Sequence, residues 1–215
     1  MKVAAIIPAR YASTRFPQKP LARILGKPMI LWVTELTAKA VGLQNTYVAT
    51  DHEAIRKVVV DAGFQAVLTS CDAMTGTDRI AEAAEQIEAD YYINVQGDEP
   101  MLDSNSIVKV AEYARQNRGC IVNGYAPIAP SEDPNDVNIP KCVIASDGRL
   151  LYMSRNALPA SKEPAKQPKS FFKQVCIYAF TKTQLRAYAS STEKAMCEQY
   201  EDIEILRFLD IGFTV

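Results

Sequence analysis

Strand-length apolar runs alternate with helix-period segments through the first half of this chain, and no other feature narrows the fold as much. Val3 to Pro8 is the first such run, and Pro28 then opens a helical stretch carrying Met29, Ile30, Trp32, Val33 and Leu36. A proline suits the first turn of a helix, where its missing N–H would have no partner anyway. Thr46 to Thr50 reads as a strand, His52 to Ala62 as a helix, Ala66 to Leu68 as a short strand and Asp78 to Ile87 as a helix. Tyr91 to Gln96 is a further strand that stops at Gly97. Strands and helices in this order make βαβ units, hence an α/β chain with a mostly parallel sheet flanked by helices. With 215 residues, 48% of them hydrophobic, the chain can bury one sizeable core.

The texture changes after a helix predicted over Ser104 to Gln116, with Ser104 as its cap. Strands at Cys120 to Ile128, Lys141 to Ala145 and Leu150 to Met153 are separated by Pro- and Asp-rich turns. The Asp147-Gly148 pair favours a hairpin. This is a smaller antiparallel insertion. Ala160 to Ser170 reads as a mobile surface loop, Phe172 to Phe180 as a strand, and Thr192 to Asp210 as helical segments.

Charge and cysteine usage exclude several classes. Lys and Arg number 24 against 25 Asp and Glu, so no global field draws in nucleic acid or an anionic membrane. The apolar start is too short for a secretory leader or a membrane span, which makes the cytoplasm the expected compartment. Five dispersed cysteines without a C-x-x-C pair suggest neither a disulfide framework nor a zinc site, and read as small hydrophobes.

The residues that carry chemistry sit where strands end. Pro8 to Leu21 follows the first strand and packs Arg10, Arg15 and Lys19 into one loop. Ligands bind at the carboxyl ends of strands in such sheets, and three cations there fit a polyphosphate, with Ser13 or Thr14 hydroxyls and backbone N–H groups as further donors. Neither a Walker A loop nor a G-x-G-x-x-G fingerprint is present. The second signal is Val95 to Pro100, again at a strand end. Asp98 there is the candidate ligand for magnesium, a hard cation that keeps several waters; Gln96 offers an amide to a sugar hydroxyl, and Gly97 permits close backbone approach. Between these lie Ala49-Thr50-Asp51-His52 and Thr75-Gly76-Thr77-Asp78-Arg79. Asp51 and Thr77 are open to two readings, helix cap or ligand contact. His52, the single histidine, reads as a loop hydrogen-bonding group, because phosphoryl-type transfer depends on positioning and charge neutralisation.

The segments PARYASTRFPQKPL, ATDH, TGTDR and NVQGDEP, in this order and at these spacings, resemble the 3-deoxy-manno-octulosonate (Kdo) cytidylyltransferases over almost the whole chain, less closely after Asp147. The resemblance implies a Rossmann-like nucleotidyltransferase fold, a homodimer, and use of CTP with magnesium in the cytoplasm to make a CMP-sugar for lipopolysaccharide. It implies a nucleotide-binding half over residues 1–118, a sugar-binding and dimerisation region over 119–180 and a helical return over 181–215. Ala9, Arg10, Ser13, Arg15 and Lys19 would then face CTP, Thr77, Asp78 and Arg79 would lie beside it, and Asp98 would bind the metal. No nucleic acid or stable membrane insertion is expected.

Departures from the family pattern concern the sugar. Tyr152-Met153-Ser154-Arg155 keeps the family's Ser-Arg ending, so Arg155 is expected at the sugar carboxylate. In Phe172 to Tyr178 the tyrosine, Tyr178, is kept, but Gln174 stands where the family has histidine. Glu204 is kept, while Ile205 stands in place of glutamine. A neutral amide in place of a potential cation, beside a retained carboxylate, favours an ammonium-bearing substrate, 8-amino-3,8-dideoxy-manno-octulosonate, over Kdo. Family members also continue past a strand at Ile211-Gly212-Phe213 to a segment that supplies a second metal-binding Asp, which this sequence does not reach. Two rival readings remain: a nucleotidyltransferase for another sugar, such as a sialic acid or a UTP-dependent hexose phosphate, and a non-catalytic nucleotide-binding protein on the same fold.

Overall fold

The computed structural model describes residues 2–12, 16–166 and 168–215, without the side chain of Pro164. Along the chain run β1 (Val3–Ala9), the short pair β2 (Arg23–Ile24) and β3 (Lys27–Pro28), α1 (Met29–Val41), β4 (Thr46–Thr50), α2 (Glu53–Asp61), β5 (Gln65–Leu68), α3 (Gly76–Gln86), β6 (Tyr91–Val95) and α4 (Ser104–Gln116). There follow β7 (Val122–Pro127), β8 (Lys141–Ile144), β9 (Leu150–Ser154), β10 (Phe172–Phe180), α5 (Lys182–Ala189), α6 (Met196–Glu201) and α7 (Ile205–Asp210). They form two compact units, one of residues 1–122 with 176–191, the other of 123–175 with 192–215. These boundaries differ from the contiguous stretches read from sequence, because the chain returns to the first unit along β10.

In the first unit β5, β4, β1 and β6 are parallel neighbours, and the Ile177–Phe180 end of β10 closes the row antiparallel to β6. Strands covered on both faces read as unbroken apolar runs, which is why β1 and β6 were legible; all five residues of β6 are buried. Helix α1 packs on β1, β4 and α4, while α3 packs on β1, β4, β5 and β6 and on α5. In β1, Ala9 lies opposite Thr50 of β4, and Ile6 lies opposite Asn94 of β6. Arg10 and Asp51 therefore leave the sheet side by side, and Gly97, three residues past Asn94, comes level with Ala9.

The helix caps are shifted from their expected positions. Asp103, not Ser104, caps α4 by accepting from Asn105 N–H. His52, not Asp51, caps α2 through Nδ1, and Thr75, not Thr77, caps α3 through its hydroxyl.

The second unit is antiparallel, with β8 paired to β9 and to the Phe172–Lys173 end of β10. The β8–β9 hairpin turns at Asp147-Gly148, where Gly148 has φ 89° and Ala145 N–H donates to Arg149 O at 2.8 Å. The strand expected at Ile211-Gly212-Phe213 is instead the close of α7. Gly212 is left-handed at φ 87°, its N–H donates to Leu209 O, and Phe213 N–H donates to Phe208 O. The two phenyl rings meet edge to face at 6.2 Å, completing a Schellman cap with its hydrophobic contact.

Candidate active site

Four strand ends of the first unit, those of β1, β4, β5 and β6, carry the polar groups singled out in the sequence. Ala9 ends β1 and is buried. Arg10 follows, exposed, and its guanidinium has no partner among the described residues. Ser13, Thr14 and Arg15 lie outside the described residues. Lys19 begins a single 3-10 turn, Lys19–Leu21, entered through a left-handed Gln18. Its Nζ reaches Asp98 Oδ2 at 2.5 Å, across from the loop after β6. The structure thus brings together the residue expected at the triphosphate and the one expected at the metal.

Gly97 makes that proximity possible. A Cβ at this position would lie 2.7 Å from Pro8 O, inside any tolerable contact, so only glycine lets the turn after β6 run this close to the end of β1. Gln96 before it is half-buried, and its amide has no partner among the described residues. Glu99 after it is turned inward. Burial first, and then the charge of Asp98, raises its carboxyl above the ordinary carboxylate range. Cys176 beside it is pushed up to about 12, by burial and then by Glu99, so it is an inert thiol.

Asp98 is suited to one role as a metal ligand. Its side chain is 48% exposed and offers a hard carboxylate oxygen. Among the described residues no cluster of three or more His, Cys, Asp or Glu could hold a metal alone. That set fits magnesium, which is commonly held by one or two carboxylates, waters and the substrate's own phosphates.

Comparison with known proteins agrees with this geometry. The sequence profile of the cytidylyltransferases matches residues 4–214. This chain belongs to the cytidylyltransferase family. It is 39% identical over 219 residues to the 3-deoxy-manno-octulosonate cytidylyltransferase of Syntrophobacter fumaroxidans, a match covering all of this chain and 87% of that protein. It is also 39% identical over 223 residues to the 8-amino-3,8-dideoxy-manno-octulosonate cytidylyltransferase of Shewanella amazonensis, covering all of this chain and 89% of that one. The solved structure of CMP:2-keto-3-deoxy-manno-octonic acid synthetase complexed with CTP superposes with a TM-score of 0.90 at 34% identity, over all of this chain and 88% of its own.

Within this cytidylyltransferase several expected ligand contacts prove to be internal. Arg79 is 3% exposed, and its guanidinium donates to Thr69 Oγ1 at 2.5 Å, Ser70 O at 3.0 Å and Asp51 Oδ2 at 3.2 Å. It ties loops together and does not face solvent. Asp78 exchanges hydrogen bonds with Thr75 in the α3 cap, and Thr77 is fully buried in the first turn. Tyr178 is 4% exposed beside Phe180 in the first unit.

In the second unit the candidate sugar residues are likewise engaged internally. Arg155 donates from Nε to Glu201 O, from Nη1 to Val137 O and from Nη2 to Asp202 O. With no ligand bound, the guanidinium expected at the sugar carboxylate is thus held by three backbone carbonyls. Ile205 is completely buried in α7. Gln174 is half-buried, its amide donating to Asn123 Oδ1 at 3.2 Å, and Glu204 is half-buried at the N-cap of α7. The sequence also gave no sign of Lys141, a lysine with no exposed surface that donates to Asp136 O and Arg155 O. Burial holds its pKa below the ordinary lysine value.

Proposed function

We propose that this chain transfers CMP from CTP to the anomeric 2-hydroxyl of an acidic octulosonate, releasing pyrophosphate, in the cytoplasmic synthesis of lipopolysaccharide. The observation that carries this reading is the meeting of Lys19 and Asp98, with Arg10 exposed at the end of β1 and without a partner among the described residues, in a chain similar over its whole length to octulosonate cytidylyltransferases.

The chemistry follows from the charges. The sugar oxygen forms a bond to the α-phosphorus as the bond to the bridging oxygen of the β-phosphate breaks, and the hydroxyl proton leaves to solvent. Arg10 and Lys19, with Arg15 of the same loop, neutralise the pyrophosphate as its charge develops. Asp98 would hold magnesium, which when bound supplies Lewis-acid stabilisation of the phosphoryl oxygens. Until nucleotide arrives, Lys19 and Asp98 neutralise each other. Their pair is 42% and 48% exposed, so separating it costs about 0–1 kcal/mol, and Lys19 is released to phosphate cheaply. Gln96, whose amide has no partner among the described residues, is the first-unit group offered to a sugar hydroxyl, and no covalent intermediate with the protein is required.

The sugar is proposed to be 8-amino-3,8-dideoxy-manno-octulosonate. Support comes from Gln174, a neutral amide at the position where the family pattern has histidine, and from the 8-amino relatives. Paired steady-state kinetics test it: kcat/KM is expected to be higher for the 8-amino sugar, and a higher value for Kdo refutes the preference. A homodimer is proposed on the family resemblance, and sedimentation at micromolar concentration tests it. No helix among the described residues is long and apolar enough to cross a membrane.

A further inference from the structure

Two residues in the first unit are fully used by contacts the proposed chemistry does not require. Asp51 and Arg79 form an ion pair at 3.2 Å with side chains 10% and 4% exposed, too enclosed to receive a triphosphate. Asp51 Oδ1 accepts the N–H of Tyr11 at 2.9 Å. The regular β1–β4 ladder ends with Ala9 opposite Thr50, so the Asp51 carboxylate carries that ladder one step further, by a side chain.

Tyr11 is the residue through which the cationic loop is held. Its N–H belongs to the peptide that follows Arg10, so the orientation of that peptide helps to set the direction in which Arg10 leaves the sheet. Its carbonyl accepts Gln18 N–H at 3.2 Å, and Gln18 immediately precedes Lys19. Its ring stacks on His52 with centroids 3.6 Å apart and planes 10° from parallel, and His52 is itself fixed as the cap of α2. Behind Asp51, Arg79 is locked to Thr69 Oγ1 and Ser70 O, Thr69 N–H donates to Thr50 O at 2.9 Å, and Ser70 N–H donates to Glu82 at 2.8 Å. Loops after β1, β4 and β5 are thereby joined through one carboxylate.

We infer that Asp51, backed by Arg79, is a positioning residue for nucleotidyl transfer: it fixes Tyr11, and through the two amide groups of Tyr11 it aligns Arg10 and Lys19 for the triphosphate. This rests on the proposed function for its kinetic consequence, but the loop constraint itself does not. Small displacements of charge-neutralising groups cost far more rate than their own bonds cost stability, because the transfer draws on alignment.

The test compares wild type with Asp51→Ala, which removes the acceptor, and Asp51→Asn, which keeps an oxygen for Tyr11 N–H. In the nucleotide-free protein, amide hydrogen exchange over residues 10–20 is expected to quicken by about tenfold in Asp51→Ala, with α4 and β6 unchanged, and to stay near wild type in Asp51→Asn. In steady-state pyrophosphate release, Asp51→Ala should lower kcat/KM for CTP by about 30- to 100-fold while KM for the sugar moves less than about twofold. Asp51→Asn should recover most of that loss. Wild-type exchange over residues 10–20 in Asp51→Ala, a uniform rise across the whole chain, or an Asn variant no better than Ala each overturns the inference. Should Asp51→Ala not fold, Tyr11→Leu removes the ring stack while leaving the α2 cap of His52 in place, and is expected to quicken exchange over the same residues by about threefold; no local change there overturns the inference equally. A wild-type protein that releases no pyrophosphate refutes the proposed function alone, and the exchange comparison still decides the role of Asp51.

Discussion

The loops after β1 and β6 and the helices α6 and α7 both gather charged side chains, and they use them in opposite ways. In the loops Arg10 is exposed and unpaired among the described residues, and the Lys19–Asp98 pair is about half exposed. In the helices Arg207 and Glu198 form a bidentate pair at 2.6 and 2.7 Å, each side chain 1% exposed, and Arg155 is held by three carbonyls nearby. Charge left in reach of water is available to a ligand. Charge buried with fixed partners holds a unit together and cannot be withdrawn without leaving its partner stranded.

Four substitutions press on this contrast. Glu198→Ala removes the bidentate carboxylate from the buried Arg207 and is expected to cost about 3–5 kcal/mol in urea unfolding, whereas replacing both partners with apolar residues of similar size should cost much less. A Glu198→Ala variant as stable as wild type would remove the distinction between the two regions. Next in size is Lys19→Ala, which should lower kcat/KM for CTP about 100-fold, or ~2.7 kcal/mol, with unfolding free energy shifted by less than ~1 kcal/mol. Loss of stability without loss of turnover would show Lys19 to be a structural residue like Arg207. Gly97→Ala drives a methyl against Pro8 O and is expected to cost about 1–3 kcal/mol and to part Lys19 from Asp98; a crystal structure of the variant with both loops unmoved would contradict this.

The smallest effect concerns pH. Glu99 has its folded pKa raised by burial and by Asp98, so the stability it lends is fully present below the ordinary carboxylate pKa and is lost as pH rises through the raised value. Glu99→Gln mimics the protonated form, and its melting temperature should match wild type near pH 4 and exceed it at pH 8. The reverse order would place Glu99 among the ionised, ligand-facing groups.

How much of this was legible in the sequence differs between the two regions for a physical reason. Parallel strands buried on both faces must be nearly all apolar, so β1, β4 and β6 announce themselves, and polar residues immediately after them stand out at the strand ends. Arg10, Lys19, Gln96 and Asp98 were singled out that way. The internal bonds of Arg79 and Arg155 were not legible, because an arginine looks the same in sequence whether its fork meets a phosphate or backbone carbonyls such as Ser70 O and Val137 O. The burial of Ile205 was not legible either, since a family position says nothing of which way a short helix turns its face. The caps were displaced because Asp51-His52, Thr75-Gly76-Thr77 and Asp103-Ser104 each offer neighbouring residues able to cap, and the choice is fixed by where the helix starts to pack. At Ile211 to Phe213 the family resemblance implied a strand, but Gly212 in a left-handed conformation ends α7 instead.

The central claim is that the strand-end loops of the first unit carry CMP transfer to an acidic octulosonate. Pyrophosphate release by the purified chain, with magnesium and an octulosonate, across CTP, UTP, ATP and GTP tests it most directly. The account predicts release with CTP, well above the other three, that falls about 100-fold in Lys19→Ala. Release that prefers UTP, or that is unchanged in Lys19→Ala, would contradict it.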